Sequence, residues 1–112
     1  MKFPESMKVK DRISYLERYI LVHSLIYYEL NESVISDKRF DKNARLLASK
    51  IEKYGPEKIS KTEYGYVFYD FDGSTGFDLI GRLSDKDREK IERIARYVLR
   101  LYKIEHGGKQ HG

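Results

Sequence analysis

Tyr27, Tyr28, Asp37, Phe40 and Asp41 are the residues whose types and spacing best suit chemistry. Two aromatic rings stand before a short loop and two carboxylates stand after it. On a helix, Asp37 and Asp41 lie one turn apart and share a face, with Phe40 beside them. An aromatic face attracts a flat cation, and nearby carboxylates add charge and accept hydrogen bonds from hydroxyl or amide groups. The chemistry expected is therefore recognition of a flat, cationic ligand. The same residues also suit plain packing at a helix–helix junction. In that case Asp37 serves the helix dipole and Asp41 pairs with Arg45 at i,i+4.

Three other groups invite a chemical reading. Arg93, Arg96, Arg100 and Lys103 fall within one narrow arc of a helix and form a candidate partner-binding stripe. A solvated outer face is the ordinary role of such a stripe. As a functional surface it fits a phosphate backbone or an acidic protein, and no RNA-recognition, zinc-finger or helix-turn-helix signature supports sequence readout. His23 lies in the most apolar part of the chain and is expected to be buried and hydrogen-bonded, since no serine or cysteine nucleophile with a base accompanies it. Val67 to Ser74, with Asp70 and Asp72 two residues apart, looks like the first motif of haloacid-dehalogenase-type phosphatases. Those enzymes need a parallel sheet, yet the 38 residues after Ser74 read as helices. Asp72-Gly73-Ser74 is read instead as a turn. Two carboxylates alone make a poor metal site, so no metal is expected.

The elements that must position these residues follow from length and pattern. With 112 residues, the chain argues for one domain with one core. Charged residues make up 36%, which favours exposed helical faces over a buried sheet. Ten tyrosines and five phenylalanines against no tryptophan supply core volume and stacking surfaces alike. The absence of cysteine excludes disulfides, thiolate metal sites and a thiol nucleophile, and fits a reducing cytoplasm. Met1 to Lys10 has no apolar run that would read as a signal peptide. The longest apolar stretch, Tyr19 to Tyr28, falls short of the roughly 20 residues a membrane span needs. A cytoplasmic location and no membrane partner are expected. The net charge of +4 is by itself weak support for nucleic acid.

Asp11 is a reasonable cap for a helix running to about Asn31. Ile13, Leu16, Ile20 and Tyr27 recur at helical spacing, widened by Leu21, Leu25 and Tyr28, so this helix is expected to run through the centre. Ser33 or Ser36 caps a second helix, with Phe40, Ala44, Leu47, Ala48 and Ile51 inward and Gly55-Pro56 as its stop. Tyr64 to Phe71 reads as an extended aromatic connector with one short strand or hairpin. Ser74 or Thr75 caps a short helix through Leu83. Ser84 and Asp87 fit a capping box for a helix to about Lys103, with Ile91, Ile94, Ala95, Val98 and Leu101 inward. The fold class is mainly α: three longer helices and an irregular connector, with residues 1–10 and 106–112 loosely held.

The stretch from Tyr27 to Asp41 resembles the small N-terminal helical domain (Ia-type) of NAD-dependent DNA ligases. The match runs Tyr27-Tyr28, then Ile35-Ser36-Asp37, then Phe40-Asp41, without a gap, and extends weakly from Tyr15 to about Glu52. Tyr28 stands where many of those ligases have histidine, and Phe40 where they have tyrosine. The resemblance implies binding of the nicotinamide mononucleotide (NMN) half of NAD. The rings of Tyr27, Tyr28 and Phe40 would enclose the nicotinamide, and Asp37 and Asp41 would hold the ribose and amide. It does not imply ligation by this chain, because no Lys-x-Asp-Gly motif occurs in it. The expectation is a non-catalytic, ligase-related small domain from a bacterium or a virus infecting one. The rival expectation is an interaction protein, an inhibitor or accessory factor of a host enzyme or nucleic-acid-processing complex. It would act through the tyrosine-rich segment Tyr64 to Phe77 and the basic helix.

Overall fold

The computed structural model describes residues 3, 7–74 and 76–106. Helix α1 spans Val9–Tyr28, α2 Asp37–Ser60, α3 Gly65–Phe68 and α4 Asp85–His106, with a 3-10 turn at Ile80–Arg82 between the last two. No strand occurs among the described residues. The fold is a small, mainly α bundle, as the charge content and helical periodicities require. Most of residues 1–10 and 106–112, expected to be loosely held, lie outside the described residues; Val9, Lys10 and His106 are helical.

Helix α1 runs through the middle. Ile13, Leu16, Ile20, Leu21 and Leu25 are all buried along it. It packs against α2 on one side and α4 on the other, and those two helices hardly meet each other. Its start lies before Asp11: the Lys8 carbonyl accepts the Arg12 amide at 3.0 Å. Asp11 therefore sits in the first turn, where a carboxylate still suits the dipole.

Ser36 caps α2 as expected, its hydroxyl accepting the Arg39 amide at 3.1 Å. Ala44 and Leu47 are buried beneath α2, with Phe40, Ala48 and Ile51 half-buried around them. Gly55-Pro56 ends the first helical run, as expected, and a second run follows directly. Gly55 takes φ +81°, a conformation closed to most residues with a Cβ, and helix resumes at once to Ser60. Proline opens that second piece, where its missing amide hydrogen costs nothing. The stop holds, and what the spacing did not announce is the short second helix that starts at once and gives α2 its kink.

The aromatic connector is helical, not extended. A lone strand would leave its backbone groups unpaired. Here the Tyr64 carbonyl accepts the amides of Val67 and Phe68 instead, and Tyr64, Val67 and Phe68 are buried in the core. The expected short helix through Leu83 is reduced to turns and the 3-10 segment. Ser74 is held by an Asx turn, its amide donating to Asp72 Oδ1 at 2.9 Å. Thr75, the other proposed cap, lies outside the described residues.

Two polar knots tie this connector down. Glu17 of α1 is fully buried. Its Oε1 accepts the Tyr64 amide at 3.0 Å, and its Oε2 lies 2.7 Å from Thr62 Oγ1. Tyr66 inserts its hydroxyl into the α4 cap, accepting the Ser84 amide at 3.1 Å and donating to Asp87 Oδ2 at 2.6 Å. Ser84 Oγ accepts the Asp87 amide, so one half of the capping box forms and Tyr66 stands in for the other.

Candidate ligand-binding cleft

The loop between α1 and α2 is set by signals at both its ends. Asn31 adopts φ +53°, and the Glu32 amide reaches back to the Ile26 carbonyl at 3.0 Å. That left-handed residue with its long reach-back bond closes α1 in a Schellman-like turn, a position asparagine tolerates. Ser36 then restarts the chain as a helix. Two α4 cations brace the loop from outside: Arg88 forms a two-pronged ion pair with Glu29, and Lys103 pairs with Glu32 at 3.1 Å.

This turn brings the last turn of α1 against the first turn of α2. All five residues singled out above line one cavity of about 290 Å³: Tyr27 and Tyr28 from α1, Asp37, Phe40 and Asp41 from α2. Its size sits near the lower end of small-molecule sites. Ser33, Val34 and Ile35 complete one wall, Ser74 another, and His23 and Ser24 also line it. Tyr27 and Tyr28 do not join the inner stripe of α1. They are 53% and 42% exposed. Tyr28 meets Tyr27 edge-on at 4.9 Å and Phe77 edge-on at 5.3 Å, so three rings stand in series beside the cleft. The alternative of plain packing therefore does not describe the two tyrosines. Asp37 and Asp41 are exposed and form no ion pair among the described residues, and the Asp41–Arg45 pair does not form.

The inner part of the cleft holds two residues that sequence reasoning placed elsewhere or passed over. His23 is half-buried rather than fully buried, its ring 4.5 Å from that of Tyr19. Its Nδ1 is shielded from solvent and has no partner among the described residues. Burial, with a smaller push from the Arg39 charge, holds its pKa down at about 4, so the ring is neutral at physiological pH. Ser24 is 1% exposed, and its Oγ is likewise unpartnered. Gly76 covers it so closely that a Cβ there would lie 2.0 Å from Ser24 Oγ. Nothing in the sequence flagged Ser24: a lone serine on an apolar helix carries no pattern.

The charged surfaces divide differently from expectation. Within the α4 stripe, Arg96 pairs with Glu92, Lys103 with Glu32, and Arg100 lies over the Tyr97 ring. Arg93 is exposed. A second basic row, on α2, was missed because its residues alternate with the motif. Lys38, Lys42 and Arg45 line a shallow groove with Asp41, which also lines the cleft. None of the three cations is ion-paired among the described residues.

The segment with the phosphatase-like pattern has no free aspartate pair. Arg82 bonds both oxygens of Asp70, which holds its carboxyl below the usual range, and donates to the Val67 carbonyl. Among the described residues no three His, Asp or Glu side chains are grouped to hold a metal, and no helix is long and apolar enough to cross a membrane. Set against family models, curated proteins and solved structures, the chain matches none.

Proposed function

We propose that this chain is a non-catalytic binding module for a pyridine nucleotide, taking NMN or the NMN half of NAD in the cleft between α1 and α2. The observation that carries the reading is the convergence of Tyr27, Tyr28, Asp37, Phe40 and Asp41 on one cavity. An oxidised nicotinamide ring is flat and positively charged. Exposed tyrosine faces attract such a ring, and two unpaired carboxylates favour its charge and accept from ribose hydroxyls. The unpaired row Lys38, Lys42 and Arg45 begins where Asp41 borders the cleft, so a 5′-phosphate leaving the cleft meets positive charge. The spacing shared with the ligase domain supports the same ligand. The test is calorimetric titration with NMN and NAD. Saturable binding is expected, weakened about tenfold in Asp37→Ala, the size of one charge-assisted hydrogen bond. An absence of heat at millimolar ligand would refute the reading.

A second reading, a protein-interaction module, is favoured by one observation. Leu101, expected to face inward with Ile91 and Ala95, is instead exposed near the end of α4 together with Tyr97 and Ile104 at helical spacing, with Arg100 over Tyr97. Its test is retention of a host protein by the immobilised chain, compared with the Arg96→Glu, Arg100→Glu double variant. Equal retention by both would dismiss the basic face.

A further inference from the structure

Two features of the surface around the α1–α2 cleft are unlike the rest of the molecule. The first is the basic row of α2. Lys38, Lys42 and Arg45 stand at i, i+4 and i+7 and line one shallow groove. At about 1.5 Å of rise per residue, the row runs for about 10 Å along the helix. Asp41 has Lys38 one turn before it and Arg45 one turn after it, the spacing at which helical ion pairs form. Neither pair forms among the described residues, whereas Arg18, Arg82, Arg88 and Lys103 each hold a carboxylate elsewhere in the fold. The second feature is a group of rings. Tyr27, Tyr28 and Phe77 are all exposed, Phe77 by 65%, and Tyr28 meets the other two edge-on. A single exposed ring is ordinary; a contiguous group marks a binding surface. The cleft joins the two features: Tyr27 and Tyr28 line it, and Asp41 borders both the cleft and the basic groove.

We propose that this rim binds single-stranded nucleic acid, with backbone phosphates along Lys38, Lys42 and Arg45 and unstacked bases against Tyr27, Tyr28 and Phe77. A groove of cations beside open aromatic rings is the composition that holds a single strand without reading its sequence. The inference goes beyond the pyridine-nucleotide reading and does not depend on it. A duplex offers the same phosphates but keeps its bases stacked inside, so the rings favour the single strand. An acidic protein offers charge without flat bases. The carboxylates at the rim do not exclude a strand. Three cations outnumber Asp41 in the groove, and a carboxylate accepts a hydrogen bond from the N4 amine of an unpaired cytosine.

The experiment is fluorescence anisotropy on the full chain with a labelled mixed-sequence oligonucleotide of about 16 nucleotides, the upper end of the site sizes of single-strand-binding folds. Saturable binding is expected, tighter for the single strand than for the same strand annealed to its complement. The logarithm of the binding constant should fall against the logarithm of salt with a slope of about −2, from about 0.7 for each of three phosphates. Lys38→Gln, Lys42→Gln and Arg45→Gln in one chain should flatten that slope. Phe77→Ala should weaken the single strand about tenfold and leave the slope as it was. No binding at low salt overturns the proposal, and so does a duplex bound as tightly as the single strand. Polyglutamate that displaces the oligonucleotide at equal charge also overturns it, and marks the row as a surface for an acidic protein. A slope that survives the triple variant overturns the assignment of the row. The wild-type comparisons need no variant, and all four substituted side chains are exposed. Titration with NMN enters none of these readouts, so the failure of either reading leaves the other standing.

Discussion

Replacing Glu17 by glutamine should free the protein from a large pH penalty. Glu17 is fully buried with no cation beside it. Desolvation raises its pKa from 4.5 to about 7; the hydrogen bonds from Thr62 and Tyr64 oppose the rise, and the nearby Glu63 charge adds to it. The hydrogen-bond geometry explains why the neutral form fits. Thr62 Oγ1 lies 2.7 Å from Glu17 Oε2 and 2.6 Å from the Ile59 carbonyl, and one hydroxyl proton cannot serve both acceptors. A protonated Glu17 donates to Thr62, which then donates to Ile59, and the chain of bonds is complete. Because the folded-state pKa is raised, stability is fully present below pH 4.5. It declines as pH climbs toward about 7, where the folded state also ionises, and is flat above. A rise from 4.5 to about 7, at about 1.4 kcal/mol per unit, amounts to about 3 kcal/mol. His23 works in the opposite sense. Its lowered pKa makes stability grow as pH climbs from about 4 to 6.5, so the wild-type profile alone is ambiguous. The difference between two chains removes it. Urea unfolding of wild type and Glu17→Gln, followed by circular dichroism from pH 4 to 9, should give curves that are close at pH 4. At pH 8 the variant should be more stable by about 2–3 kcal/mol. A difference that does not change with pH would refute the reasoning; so would a variant less stable at pH 8.

Three further outcomes are expected. The His23 ring, followed by NMR, should titrate near pH 4, and a midpoint at 6.5 would place it in open solvent. Gly76→Ala should cost about 1–3 kcal/mol, because its Cβ would meet Ser24 Oγ at 2.0 Å and Ser24 Cβ at 3.0 Å; adding Ser24→Ala should recover part of that loss, and strict additivity in the double-mutant cycle would contradict the contact. Tyr66→Phe should lower stability by about 1 kcal/mol in urea unfolding, since it strips partners from the Ser84 amide and Asp87; no change would mean that Ser84 Oγ alone holds the start of α4.

The three long helices were legible because their signals are local and periodic. The apolar stripe of α1, the Ser36 cap and the Ser84–Asp87 spacing each lie within a few residues of one another. Tyr64 to Phe71 was misread because β-rich residue types describe a side-chain preference, while the backbone had no neighbouring strand to pair with. Its helical turn depends on Glu17, 47 residues away, receiving the Tyr64 amide. The five cleft residues were legible through their spacing, and the loop that gathers them depends on Asn31 taking a left-handed conformation, which spacing does not announce. Ser24 and the basic row of α2 were not. The first becomes notable only when Gly76 covers it, and the second only when two cations of the α4 stripe turn out to be paired, Arg96 with Glu92 and Lys103 with Glu32.

The central place of α1 has a consequence for synthesis. Its sequence is complete at Tyr28, but the side it turns toward α4 has no cover until Ile91 and Ala95 have been made. At translation rates of about 5–20 residues per second, that gap is about 3–13 seconds. Through it, the most apolar helix of the chain has only α2 and the connector to shelter it. A nascent chain halted before Ile91 should therefore be a chaperone client, and one extended past Ala95 by the length of the ribosomal tunnel should not.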